Sequence, residues 1–136
     1  MRILSIDYGE RRTGLAITDE LGITAQGLDT IIAASEEDAF KKVVEIVRKY
    51  GVGKILIGLP LNMNGSESDK SKKVRVFGEA LEQETSLPVI YWDERMTTMQ
   101  AKRVMAETET KTFGKKHLVD RISATLMLQE YMKTSR

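Results

Sequence analysis

The spacing of hydrophobic and polar residues switches repeatedly along this chain between strand and helix periods, and each switch marks an element. Residues 2–8 and 14–18 read as short strands, Asp19-Glu20-Leu21-Gly22 as a turn, and Ile23 to Ile31 as a third strand. Three strands joined by short connections imply an antiparallel meander. Helical spacing then takes over. Ser35 can accept from a first-turn N–H, and Glu36, Glu37 and Asp38 suit the positive end of a helix dipole. Phe40, Val43, Val44, Val47 and Tyr50 follow on one stripe, and Gly51 is a natural stop. Lys54 to Pro60 is nearly all apolar, as in a strand buried on both faces. Residues 61–69 are a polar loop. The spacing predicts a helix over 69–85 with Val74, Phe77 and Leu81 inward, and a fifth strand from Val89 to Glu94. Thr97 or Thr98 can cap a helix through about residue 107. Thr108 to Lys116 is polar, and His117 to about Lys133 is the final helix.

This order predicts an α/β fold: a mixed five-stranded sheet flanked by helices, with the fourth and fifth strands parallel through a right-handed crossover. At 136 residues the chain is expected to form one domain, residues 1–136. Hydrophobic residues at 41% and charged residues at 30% place it among soluble globular proteins. No apolar run approaches the roughly 20 residues of a membrane span. Met1-Arg2 leads straight into a strand with no secretory signal, so a cytoplasmic location is expected.

The absence of cysteine excludes disulfides and thiolate metal sites, and the single histidine, His117, disfavours zinc. A metal here would be held by oxygen, which points to Mg2+ or Mn2+. A net charge of +1 does not announce nucleic-acid binding, which would need a local basic patch.

Such oxygen ligands are present at three points. Asp7 ends an apolar strand beside Gly9, where the backbone can approach a ligand closely. Asp93 and Glu94 close the run Val89-Ile90-Tyr91-Trp92; adjacent strand residues face opposite ways, so one of the two reaches a shared site, and Glu94 is favoured. Asp120 falls on the packing face of the last helix with Val119, Ser123, Ala124, Leu126, Met127 and Tyr131. Each has a plainer reading: a turn at Asp7, a surface bridge from Asp93 or Glu94 to Arg95, a salt bridge at Asp120. Together, carboxylates at the ends or inner faces of core elements suit divalent cations and phosphoryl transfer.

Four segments carry a resemblance. They are Ile6-Asp7-Tyr8-Gly9-Glu10-Arg11-Arg12-Thr13-Gly14-Leu15-Ala16, Gly58-Leu59-Pro60-Leu61-Asn62-Met63-Asn64-Gly65, Trp92-Asp93-Glu94-Arg95-Met96-Thr97-Thr98 and Lys116-His117-Leu118-Val119-Asp120-Arg121-Ile122-Ser123-Ala124. Together they resemble the YqgF family of pre-16S ribosomal RNA nucleases, also described as Holliday-junction-resolvase-like proteins. The resemblance implies a ribonuclease H-like fold and a metal-dependent nuclease, with Asp7, Glu94 and Asp120 as catalytic metal ligands. It implies a nucleic-acid partner: pre-16S RNA processed at its 5′ end or, alternatively, branched DNA. The ribosome is a candidate partner. Monomer and dimer are both open, junction cleavage favouring a dimer. Two departures are Ser66-Glu67-Ser68-Asp69, where relatives often have Gly-Pro, and Ser123-Ala124, where two alanines are common.

Nucleic-acid contacts are expected from Arg11 and Arg12, from Asn62 and Asn64, from Arg95, and from a basic cluster of Lys111, Lys115, Lys116, His117 and Arg121. Turn formation explains the asparagines equally well, and solvation the cations. Two other classes stay open. Asp7 with Gly14-Leu15-Ala16 is similar to the phosphate-binding turn of actin-like ATPases and sugar kinases, which need two such domains. A non-catalytic RNA-binding assembly factor could retain the same fold.

Overall fold

The computed structural model describes residues 1–96 and 116–134, with side chains described except those of 116–120. Five strands form one sheet: β1 (Arg2–Asp7), β2 (Arg12–Thr18), β3 (Ala25–Ile32), β4 (Val52–Leu59) and β5 (Val89–Asp93). Their order is β3-β2-β1-β4-β5. The first three form the expected antiparallel meander; β4 lies parallel to both β1 and β5. Three helices are described: α1 (Glu36–Tyr50), α2 (Asp69–Thr85) and α3 (Lys116–Thr134). The helix expected after Thr97 or Thr98 and the polar stretch over 108–115 lie outside the described residues.

Boundaries moved for identifiable reasons. β3 starts at Ala25 rather than Ile23 because the Asp19 carboxylate accepts from the backbone N–H groups of Ile23 and Thr24, holding both in the turn. β4 stops before Pro60, which has no N–H for the ladder. β5 ends at Asp93, whose carboxylate accepts the Arg95 N–H; Glu94–Met96 is a 3-10 turn. In α1, Ser35 caps as expected and Gly51 closes the helix at φ 61°. Where Gly-Pro was expected, Ser68 and Ser71 form a reciprocal capping box at the start of α2. The departure substitutes one helix start for another.

The two faces of the sheet bury different material. Leu4, Ile6, Leu15, Ile17, Ile55, Ile57 and Leu59 meet α1 (Ala39, Val43, Val44, Val47) and α2 (Val74, Phe77, Leu81) in the larger core. Ala16, Leu56 and Trp92 meet α3 through Ala124, Met127, Leu128 and Met132. The buried stripe of α3 is turned slightly from the expected one: Leu128 and Met132 are buried, while Leu126 is only partly so. Among the described residues no helix is long and apolar enough to cross a membrane.

Candidate active site

Strand alternation decides which way β1 presents its aspartate. Leu4 and Ile6 enter the α1/α2 core, so Ile3, Ser5 and Asp7 face α3. Ser5 fixes this directly: its buried hydroxyl donates to the Ala124 carbonyl at 2.9 Å. Small Ser123 and Ala124 let the α3 backbone come that close.

Asp7 stands among glycines. It pairs with Gly14 of β2, and the β1–β4 register, Ile6 beside Ile57, brings Gly58 to its level on the other side. Neither neighbour has a side chain to fill the space beside the carboxylate. Glu94 uses that space. A Cβ on Gly58 would lie 2.7 Å from Glu94 Oε1 and 3.0 Å from Met127 Sδ. Glu94 therefore reaches back across β4 onto the α3 face, within about one strand spacing of Asp7's strand. Asp93 does not join it. It takes Arg95 instead, with Arg95 Nη2 at 2.7 Å, and this partner holds the Asp93 carboxyl below its usual pKa. Of the two adjacent acids, Glu94 is the one on the face of Asp7.

Residue 120 lies one helical turn before Ala124. The Arg121 stem lies against Gly27 in the same sheet row as Ser5 and Ala16, while Tyr131 reaches Lys54 at the other end of the sheet. α3 thus runs antiparallel to β1 and carries position 120 toward the Asp7 end. The Asp120 side chain is outside the described residues, and among those described no group of three metal-binding side chains stands together.

The expected nucleic-acid contacts separate into two groups. Arg11 and Arg12 line a cleft of about 530 Å³ with Asp7, Tyr8, Gly9 and Lys70. Asn62, Asn64, Arg95 and Arg121 are engaged within the protein. Asn62 donates to Ser66 Oγ and the Glu67 carbonyl; Asn64 accepts from Ser66. Arg95 donates to the Met63 carbonyl at 3.1 Å and lies over Gly65, pinning that loop to the end of β5. Arg121 pairs with Asp29 at 2.8 Å beside a bulge in the β2–β3 ladder. Lys111 and Lys115, and the side chains of Lys116 and His117, fall outside the described residues.

Sequence reasoning missed Ser5, Gly58 and Lys70. A glycine inside an otherwise apolar buried strand was the available signal for Gly58, since such positions mark a close approach.

Two oxygen-donor carboxylates on one face, above a glycine whose missing Cβ leaves them room, suit a hard divalent cation better than a softer metal. The profile of the RuvX family, described as Holliday junction resolvase, matches residues 1–134. Relatives named "Putative pre-16S rRNA nuclease" include one from Clostridium acetobutylicum, 44% identical over 98% of this chain and 99% of its own. Another, from Caldanaerobacter subterraneus subsp. tengcongensis, is 42% identical over 100% and 99%. Among solved structures, RuvC of T. thermophilus bound to a Holliday junction superposes with TM-score 0.63 at 13% identity, covering 99% of this chain and 96% of that one. The fowlpox virus Holliday junction resolvase gives 0.61 at 14%, with full coverage of both chains. Those structural likenesses establish a ribonuclease H-like fold, in agreement with the expected mixed five-stranded sheet. The full-length match to the family profile and the sequence relatives together make this chain a member of the RuvX family, the group that the sequence motifs resembled under the name YqgF.

Proposed function

We propose that residues 1–136 form one metal-dependent nuclease domain that trims the 5′ end of pre-16S ribosomal RNA in the cytoplasm, with the ribosome as its working partner. The observation that carries the nuclease reading is the shared face of Asp7 and Glu94 across Gly58, in a chain whose full-length relatives bear that name. Asp7, Glu94 and Asp120 would hold Mg2+ or Mn2+. The ion, when bound, activates water and offsets the charge that develops on the phosphate oxygens.

The chain's own residues do the rest. The carboxylates repel one another when ionised, which makes the apo site a strong acceptor of divalent charge. Ser5, Ala124 and Gly58 fix the separation of β1, β4 and α3, and so hold the carboxylates in register. Arg11 and Arg12 offer guanidinium forks to the strand being cut.

Branched DNA is the second reading, supported by the family's printed description and by the fold match to resolvases. The experiment is cleavage of a labelled 16S 5′ leader, a four-way DNA junction and linear duplexes, with Mg2+ or Mn2+ and Asp7→Asn as control. Leader cleavage that vanishes in the variant is the expected result. Preferred junction cleavage by a dimer transfers the assignment to DNA. Folded protein inactive on every substrate, with and without ribosomes, leaves the non-catalytic assembly factor.

A further inference from the structure

The cleft beside Asp7 reaches α2, which contributes Lys70 to its wall. Lys70 lines the Asp7 cleft and also the adjoining cleft of about 450 Å³, which Tyr8, Gly9, Glu10, Asp69 and Lys73 complete. Neighbouring cations are spoken for. Lys73 binds Glu10 at 2.7 Å, Arg75 pairs with Glu67, and Arg95 pairs with Asp93. Arg11 and Lys70 line the cleft near Glu10, whose carboxyl is held below its usual pKa first by Lys73, its direct ion-pair partner, and then by Arg11 and Lys70.

The spacing of this pair is fixed by the fold. Tyr8, at the root of the loop carrying Arg11, stacks on Phe77 of α2 with ring centroids 4.2 Å apart. Two residues on, Glu10 is tied to Lys73 of the same helix. These links clamp the β1–β2 loop onto the first turns of α2. The cations therefore stand on two walls of one cleft, with Lys70 additionally in the positive first turn of its helix. Glu10 is already taken by Lys73, so a phosphate entering the cleft meets two cations without a direct ion pair of their own among the described residues.

We infer that Arg11 and Lys70 form a phosphate rail that grips the nucleic-acid strand on the α2 side of the scissile phosphodiester. The inference rests on the nuclease reading for the identity of that strand, and it deepens that reading. It gives the substrate a path: from Asp7 the strand runs between the β1–β2 loop and α2. It also makes Lys70 a positioning residue, acting on a neighbouring phosphate and not on the bond that breaks.

The test uses full-length protein and labelled 16S leader RNA, with the four-way junction as a second probe. In the Asp7→Asn background, Lys70→Ala is expected to weaken RNA binding roughly 5-fold at low salt. The slope of log affinity against log salt should fall by about 0.7, as for one lost single-strand phosphate contact. Lys70→Arg should restore both, whereas Lys41→Ala, on an exposed lysine paired with Glu37, should change neither. In active protein Lys70→Ala should raise KM with kcat within about twofold, since a lost uniform contact acts on binding. Unchanged salt slope and KM in an enzyme that still cleaves overturn the rail and leave the nuclease reading standing. Loss of salt slope in a protein that cleaves nothing supports the rail and sinks the nuclease reading. Loss of slope on the junction alone moves the rail to DNA.

Discussion

The two faces of the sheet solve opposite problems. Against α1 and α2 the strands present large aliphatic side chains, and the fully buried Leu4, Ile6, Leu15, Ile55 and Ile57 fill the space. Against α3 the same strands present Ser5, Ala16, Gly27 and Gly58, met by Ser123 and Ala124. Bulk on the first face maximises the apolar area removed from water. Smallness on the second lets a helix backbone approach, and it leaves room at the strand ends for carboxylates. The lesson is a division of labour within one sheet: alternate residues of one strand, Ile6 and Asp7, face the larger core and the proposed metal site respectively.

The sharpest way to expose that division is to mutate neighbours on opposite faces. Asp7→Asn should cut cleavage by about 1,000-fold or more, a loss of several kcal/mol of transition-state stabilisation. Metal-free stability should shift by no more than about 1 kcal/mol, because relief of repulsion offsets any lost hydrogen bond. Ile57→Ala should do the reverse. It removes a fully buried side chain from the larger core and should cost roughly 2–5 kcal/mol. Cleavage per folded molecule at low temperature should stay within a few-fold. Urea denaturation and single-turnover assays on both variants check this, and a large stability loss in Asp7→Asn would show that its carboxylate is structural.

The stabilising face was the more legible in the sequence, for a physical reason. Its signal is periodic: Val43, Val44 and Val47 on one helix and Val74, Phe77 and Leu81 on the other stand where a 3.6-residue repeat puts them. Helix 69–85 was legible to the residue, since its polar start and apolar stripe agree. On the α3 face, Asp7 and Glu94 could be read from charges closing apolar runs. Strand alternation implied that only one of Asp93 and Glu94 reaches a shared site, and it is the Glu94 carboxylate that lies against Gly58. Gly58 and Ser5 could not be given a role, because theirs depends on which distant residues cross the sheet above them: Glu94 and Met127 over Gly58, Ala124 over Ser5. Arg95 and Arg121 show the same limit: a cation in a promising motif looks alike whether it awaits a phosphate or pins a loop.

Gly58→Ala attacks the small face at its narrowest point. The added Cβ would meet Glu94 Oε1 at 2.7 Å and Met127 Sδ at 3.0 Å. Elsewhere such a change can stabilise through the unfolded chain, by up to about 1 kcal/mol. Here both groups in the way are ends of flexible side chains that must swing aside, so stability should change by no more than about 1 kcal/mol. Because Glu94 is one of the two displaced groups, cleavage should drop about tenfold or more, and the metal concentration for half-activity should rise. Unchanged metal dependence would mean that Met127 alone had moved. Ser5→Ala is the gentler version. It leaves the Ala124 carbonyl without its donor at the α3 contact and should cost about 1 kcal/mol. Cleavage per folded molecule should fall a few-fold, since the contact that sets the separation of β1 and α3 is gone.

The smallest effect lies just outside the comparison, where Asp93 points away from the shared face and works for the loop. Arg95 hydrogen-bonds the Asp93 carboxylate and lowers its pKa from the ordinary value near 4. A carboxyl whose folded pKa is depressed contributes stability that is complete above its unfolded pKa. That contribution is lost as pH falls through the folded value. The pair is partly exposed, so its whole worth should be a few tenths of a kcal/mol. The urea midpoints of wild type and Asp93→Asn should therefore differ slightly and constantly from pH 5 to 8, then converge below about pH 4. Amide exchange at Gly65 should quicken in the variant, because Arg95 also holds the Met63 carbonyl. Equal exchange rates would mean that the hydrogen bonds among Asn62, Asn64 and Ser66 hold the loop without Arg95.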